Sequence, residues 1–296
     1  MLPASRLDPG RVWCLLPLAV NLPTRETNLR ESRVNMYRIS AAALATAAFC
    51  ILALPATAQR AGADQIATSD GAIDFVPIHH ASLMLTWKGA HILVDPAPID
   101  NKATGDALTQ PYKRLGAPDF ILITHIHGDH FSVPILQALA GPNTVIVAPQ
   151  NVHDAMPADL QAKTKVLKNG DKSTLGTVAV EAVPMYNVTA ARANFHPKGQ
   201  GNGYILTFAN QRIYVAGDTE ETPELAHLAN IDVAFIPVNL PYTQDINAAA
   251  KWVKDFKPKF VFPYHYSNQD GTNSDMAAFS NLVGNASIVR LRKWYG

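Results

Sequence analysis

The chain has 296 residues, 25 Lys+Arg against 24 Asp+Glu, and 48% hydrophobic with 17% charged residues. That composition supplies ample material for a packed core and excludes wholesale disorder. A formal charge of +1 gives no general pull towards nucleic acid or an anionic membrane surface, and nucleic acid is not expected as a partner.

In chain order, residues 1–35 come first. Their one apolar stretch is short and interrupted by Pro17, and the segment is expected to be a gene-start artefact or, if translated, disordered. Residues 36–58 read as a signal peptide. Arg38 supplies the positive charge, residues 41–54 form an apolar run broken only by Thr46, and Ala56-Thr57-Ala58 fits the small-x-small rule, with cleavage after Ala58. The run is shorter than the roughly 20 residues of a membrane span. An exported protein, periplasmic or secreted, is therefore expected, with no membrane span in the mature form. The alternative is an uncleaved N-terminal membrane anchor. Both cysteines, Cys14 and Cys50, precede the cut. A mature chain without thiols excludes a disulfide scaffold, a thiol nucleophile and Cys-ligated zinc, and it suits an oxidising compartment.

Residues 59–70 are small and polar and read as a flexible leader to one domain over 71–296. Strands are expected at residues 73–78, 82–87, 91–94, 120–123, 144–148 and 177–183, with part of another at 166–167. A hairpin joins 204–208 to 212–216, and further buried strands fall at 233–236 and 260–262. Helices are expected at 133–139, 246–256 and about 274–282, the second with Asp245 at its positive end, and a final strand at 287–291. Strands and helices intermix with no long linker. This predicts one α/β domain with two sheets inside and helices outside.

The chemistry concentrates in Thr124-His125-Ile126-His127-Gly128-Asp129-His130, four candidate ligands directly after a buried strand. Two residues apart on an extended chain, His125 and His127 point the same way and can chelate one ion. Gly128 is expected to let the chain turn, so that Asp129 and His130 face a second position. Imidazole and carboxylate are the ligands that zinc takes when no thiol is offered.

This run resembles the signature of the metallo-β-lactamase-fold hydrolases. Ile92-Leu93-Val94-Asp95-Pro96 is similar to that family's first motif, and His196 falls where its third histidine stands. Ala216-Gly217-Asp218-Thr219 and Pro263-Tyr264-His265-Tyr266 resemble its later motifs, all in the family's order. The resemblance implies a four-layer αββα sandwich, of α/β (α+β) class, with two divalent metal ions at one edge. His125, His127 and His196 would hold the first ion, and Asp129, His130 and His265 the second. Asp218 would bridge both, and Asp95 would orient a ligating imidazole. Zinc is the expected metal, with manganese or iron compatible.

A bridging aspartate and the lack of cysteine set the chain apart from true class-B β-lactamases, and its length leaves no room for the cap domain of the nuclease branches. The blocks around His80-Ala81-Ser82, Tyr186-Asn187 and Gly203-Tyr204 are similar to the L-ascorbate-6-phosphate lactonase and N-acylphosphatidylethanolamine phospholipase D groups. The implied activity is a hydrolase with a hydroxide shared between metals, cleaving an ester or lactone bond of a small molecule. A phosphodiesterase or phospholipase D-like hydrolase is the alternative within the fold, and a non-catalytic metal-binding protein the alternative outside it. Asp129 and Asp218 are the expected catalytic carboxylates. His80, Tyr186, Asn187, Tyr242 and Tyr266 are candidates for substrate contact, and Arg192 and Lys198 for meeting an anionic group. The sequence carries no signal for oligomeric state.

Overall fold

The computed structural model describes residues 64–100 and 102–295. The expected signal peptide and the segment before it lie outside the described residues. The first sheet runs β1 (Asp64–Thr68), β2 (Gly71–His79), β3 (Ser82–Trp87), β4 (Ala90–Val94), β5 (Phe120–Leu122), β6 (Val145–Ala148) and β7 (Thr164–Val166). The second runs β8 (Lys172–Leu175), β9 (Val178–Met185), β10 (Gly201–Phe208), β11 (Gln211–Val215), β12 (Val233–Pro237), β13 (Phe260–Tyr264) and β14 (Ile288–Val289). Each sheet starts as an antiparallel meander and ends as a parallel set, β4–β7 in one and β11–β14 in the other.

The two-residue period sorts the side chains into layers. Leu83 and Leu85 on β3, Leu122 on β5, Val233 and Phe235 on β12 and Phe262 on β13 meet between the sheets. Their neighbours point outward. Met84 and Ile121 pack under α1 (Asp106–Lys113), α2 (Val133–Leu139), α3 (Gln150–Asp154) and α4 (Ala158–Gln161), while Ala234 and Ile236 pack under α5 (Ile246–Phe256) and α6 (Met276–Val283). The order helices, sheet, sheet, helices is the expected αββα sandwich. Asp245 caps α5 directly, accepting from the Asn247 and Ala248 N–H groups, and Asp275 caps α6 through Ala278 N–H. Such caps contribute about 1 kcal/mol each. No described helix is long and apolar enough to cross a membrane.

Two expectations change, and one helix had not been expected at all. The leader is not flexible throughout: Asp64–Thr68 pairs with β2, buries Ile66, and is tied by Asp64 to Arg290 and Arg292 near the C-terminus. Its polar residues hid a strand whose partner follows immediately. Helix α1 has Pro111 inside it and buries only Thr109 and Tyr112, so no apolar stripe announced it. The last strand is short, because the chain leaves the ladder after Val289 and drives Trp294 against Phe235 and Tyr264 in the inter-sheet core.

Parallel strands bring their C-terminal ends to one rim. In the first sheet β4 and β5 are parallel, and β2, antiparallel to β3 as β4 is, runs with them. In the second, β9, β11, β12 and β13 share a direction by the same reasoning. Residues just past these ends all fall on the same edge of their sheet.

Candidate metal centre

The segments leaving those strand ends carry the donors. Asp95 follows β4, residues 124–130 follow β5, Asp218 follows β11 and His265 follows β13, while the loop between β9 and β10 carries His196. His125, His127 and His196 each place a donor atom within 4.8 Å of the others, as do His125, His130 and Asp218, and a third group joins Asp129 and His265 to His80, where His130 had been expected from the sequence. His125 Nε2 lies 3.1 Å from His127 Nδ1. Asp218 stands between the two halves, with Oδ2 3.5 Å from His196 Nε2 and 3.6 Å from His265 Nε2, and Oδ1 3.4 Å from His130 Nε2. Asp129 Oδ2 is 3.2 Å from His265 Nε2 and 3.9 Å from His130 Nε2. The seven side chains named from the sequence thus converge on one place.

Gly217 is required by its surroundings. Its φ is +66°, and a Cβ there would stand 2.6 Å from Met185 Sδ and 3.0 Å from Thr124 Cβ. Gly128 is not: its φ lies outside the left-handed region and a Cβ would meet nothing within 4 Å, so that turn does not need glycine. The histidine pair also sits in a loop rather than on an extended strand, since β5 ends at Leu122. The loop brings them together all the same.

Buried polar groups behind the donors orient them. Asp95 accepts from Thr124 N–H and Thr124 Oγ1–H, both at 2.7 Å, and from His130 Nδ1–H at 2.8 Å. His196 Nδ1–H donates to the Tyr242 carbonyl at 3.1 Å, and the Asn239 amide meets His265 Nδ1 at 2.7 Å. His130 and His196 are thereby held through a donated Nδ1–H with Nε2 aimed inward, the arrangement that tunes metal-binding imidazoles, while the Asn239 amide fixes the plane of the His265 ring. Asn239 was not among the residues named from the sequence. It follows the buried strand β12, and a polar residue just past a buried parallel strand is the signal that would have found it.

Three atoms decide whether a cation fits. His130 Nε2, His196 Nε2 and Asp218 Oδ1 are buried and have no hydrogen-bond partner. An unmet polar atom of this kind costs about 1–3 kcal/mol. These three lie among imidazole and carboxylate donors, so divalent cations held there would satisfy them, and the residues fit a metal.

The electrostatics separate the rings. Burial, helped by the neighbouring imidazoles, holds His125 well below its ordinary value. Burial also lowers His196 to about 4 against the opposing pull of Asp218, and lowers His80 to about 4. Lowered values favour the neutral ring, in which His125 and His196 each keep a lone pair for a cation. For His130 burial is outweighed by the carboxylates of Asp218, Asp129 and Asp95, which push it up to about 10. Asp129 and Asp218 are held below the usual carboxylate range, burial being overcome by the surrounding imidazoles.

A pH dependence follows for chelator-treated protein. His80, His125 and His196 have folded values below the unfolded 6.5, so protonation favours unfolding as pH falls beneath 6.5. The contribution of His130 is fully present below 6.5 and does not change there. Melts in chelator are expected to show stability falling between pH 6.5 and 4.5, by on the order of 2 kcal/mol for each buried ring. A flat profile over that range would contradict the burial of these rings as neutral groups.

A cavity of about 660 Å³ opens over the donors. Ile99, Phe195 and Tyr242 give it apolar wall, and Ser267, Asn268 and Gln269 an uncharged polar side. His80 and Tyr242 line it, as the sequence suggested. Tyr186, Asn187 and Tyr266 do not. The Tyr186 hydroxyl donates to Glu224, Asn187 braces the Tyr242 and Arg192 carbonyls, and the Tyr266 hydroxyl donates to the Arg292 carbonyl. The two cations near His196 are also taken up, Arg192 by Glu220 and Lys198 by Glu224. Glu220 additionally accepts from Val188 and Thr189 N–H and so pins the loop that carries His196.

An αββα sandwich with clustered His and Asp donors at the strand ends defines a metal-dependent hydrolase of the metallo-β-lactamase fold. Residues 76–265 match the family model described as the beta-lactamase superfamily domain, and the chain belongs to that superfamily. It is 28% identical over 216 residues to a UPF0173 metal-dependent hydrolase of Thermoplasma acidophilum, covering 69% of this chain and 88% of the relative. Among solved structures it is similar to one assigned to the metal-dependent hydrolases from Parabacteroides distasonis. That match has 38% identity and a TM-score of 0.69 over 79% of this chain and 99% of the other. The fold is also that of Igni18, a metallo hydrolase of Ignicoccus hospitalis (TM-score 0.61, 21% identity, 76% of this chain and 96% of that one).

Proposed function

We propose that this protein hydrolyses uncharged esters, most simply lactones or small carboxylic esters, with two divalent ions, zinc first among them. The observation that carries this reading is the charge of the cleft. Among the described residues neither lysine nor arginine lines it, and the only carboxylates there are the donors Asp129 and Asp218. A substrate with a phosphate or carboxylate away from the scissile bond, beyond reach of the ions, needs a side-chain cation to offset burial of that charge. Here Arg192 and Lys198 are committed to Glu220 and Glu224 instead.

When bound, the ions supply a water activated near neutral pH and a Lewis acid for the carbonyl oxygen. The chain does the rest. Asp218, reaching donors on both sides, sets the spacing of the two positions. Asp129, half-exposed at the cleft floor, is placed to accept a hydrogen bond from the attacking water. Asp95 and Asn239 keep the rings of His130 and His265 from rotating. Ile99, Phe195 and Tyr242 offer an apolar wall to an acyl chain or ring.

The test is a panel of lactones, aryl esters and bis-aryl phosphodiesters, each assayed with and without chelator. Chelator-sensitive turnover of lactones or aryl esters above the diesters is expected. Preference for diesters would replace the reading with a phosphodiesterase or phospholipase D-like activity. Two tightly bound ions with silence across the panel would favour a metal-binding protein without turnover.

A further inference from the structure

Asp129 is the least anchored of the donors. Its side chain is 45% exposed, and its Oδ2 meets only imidazoles: His80 Nε2 at 3.0 Å and His265 Nε2 at 3.2 Å as hydrogen-bond neighbours, with His130 farther away. His265 is needed as a donor to a cation, and a ring nitrogen that gives its lone pair to a metal cannot also donate a proton to a carboxylate. Among the described residues that leaves His80 as the side chain able to hold Asp129.

His80 is built to do so. It follows β2 on the donor rim, in the left-handed region at φ +57°, a conformation non-glycine residues keep only when their surroundings hold it. Here both backbone groups are tied. His80 N–H donates to the carbonyl of the buried Trp294 at 3.3 Å, and His80 C=O accepts from His265 N–H at 3.2 Å. Its ring centroid lies 4.0 Å from that of His265 and 5.3 Å, edge-on, from that of Tyr295. A ring packed between two aromatic neighbours, on a backbone tied at both its groups, presents one nitrogen to a carboxylate that would lose its hydrogen bond to His265 once that ring took a cation.

We propose that His80 is the positioning residue for Asp129: its Nε2–H holds one carboxylate oxygen and thereby sets the affinity of the second metal position. The energy comes from pre-organisation. Ordering a half-exposed carboxylate as an ion binds costs side-chain entropy, and a hydrogen bond already made in the metal-free protein removes that cost. The inference rests on the two-ion reading above.

The test uses the full chain stripped with chelator and titrated with Co(II), followed by calorimetry and visible absorption. His80→Asn tolerates the left-handed backbone but withdraws the reaching donor, whereas His80→Gln keeps an amide N–H near the position of Nε2. Wild-type protein is expected to take two equivalents. His80→Asn should bind the first as wild type does and the second about 10–100-fold more weakly, and His80→Gln should recover most of that loss. Unchanged binding by His80→Asn overturns the proposal. So does equal weakening of both positions, which is the mark of a general structural role. If His80→Gln loses as much as His80→Asn and the second-ion spectrum changes, the ring is itself a ligand and positioning is overturned. Wild-type protein saturating at one equivalent overturns the two-ion reading, and this proposal with it.

Discussion

Asp218→Ala is expected to abolish chelator-sensitive hydrolysis, lowering kcat/KM by about a thousandfold or more, and to leave the purified protein with at most one tightly bound ion. Asp218 is almost fully buried, with its two oxygens 3.4–3.6 Å from nitrogens of His130, His196 and His265. No other described carboxylate reaches donors of both metal positions. On the two-ion reading proposed above, its removal would take a shared anion from between the ions and leave their mutual repulsion unscreened. Asp218→Asn separates charge from volume: it keeps the shape but is neutral, and should bind metal almost as poorly. Elemental analysis of protein purified in parallel with wild type gives the occupancy. Wild-type metal content and turnover in Asp218→Ala would remove the bridging assignment altogether.

The second large effect comes from a residue that touches neither cleft nor ion. Asp95 is fully buried and holds three donors, Thr124 N–H, Thr124 Oγ1–H and His130 Nδ1–H. Asp95→Ala leaves all three buried without an acceptor and takes away one of the carboxylates that keep His130 charged in metal-free protein. Breaking a buried charged pair from one side costs about 3–5 kcal/mol. For a domain of this size that corresponds to a fall of roughly 10 °C in Tm. With His130 free to turn, its metal position should weaken about 10–100-fold as well. Asp95→Asn, which tolerates the φ of +44° at this position, should be milder because it can still accept from Thr124 N–H. Thermal melts with and without added Zn(II) separate the two consequences. An Asp95→Ala protein with wild-type Tm in chelator would show that the buried network contributes nothing to the fold.

Much of the site was legible because its residues are local and chemically unusual. Four donors in six residues after an apolar run have few structural explanations, His265 follows an apolar strand, and Asp218 follows one that ends in Ile213-Tyr214-Val215. Strands with period-two or continuous apolar patterns were placed within a residue or two, as at 82–87 and 233–236. Elements were missed where burial was slight. Helix α1 buries two residues, β8 is Lys-Ser-Thr-Leu with one buried, and β1 alternates with only Asp64 and Ile66 inside. Their existence depends on neighbours the local pattern does not contain. The substrate candidates divided for the same reason. Tyr186 and Tyr266 look like site residues in sequence, but hydroxyl partners far along the chain, Glu224 and Arg292, hold them away from the cleft.

By itself the amino-acid sequence determined the layer order of the sandwich, the chemical nature of the donor set and the family of the chain, because these follow from periodicity, residue type and motif order, all properties of contiguous segments. Only the tertiary structure decided what stands behind and beside the donors. Asn239 on His265, Glu220 under the His196 loop and His80 against Asp129 join residues 26, 31 and 49 positions apart. The physical reason is that parallel strands deliver distant residues to a common rim. Which of those residues then meet, and which cations are spent in ion pairs before they can face the cleft, depends on the packing of two sheets, and no single stretch of chain encodes it.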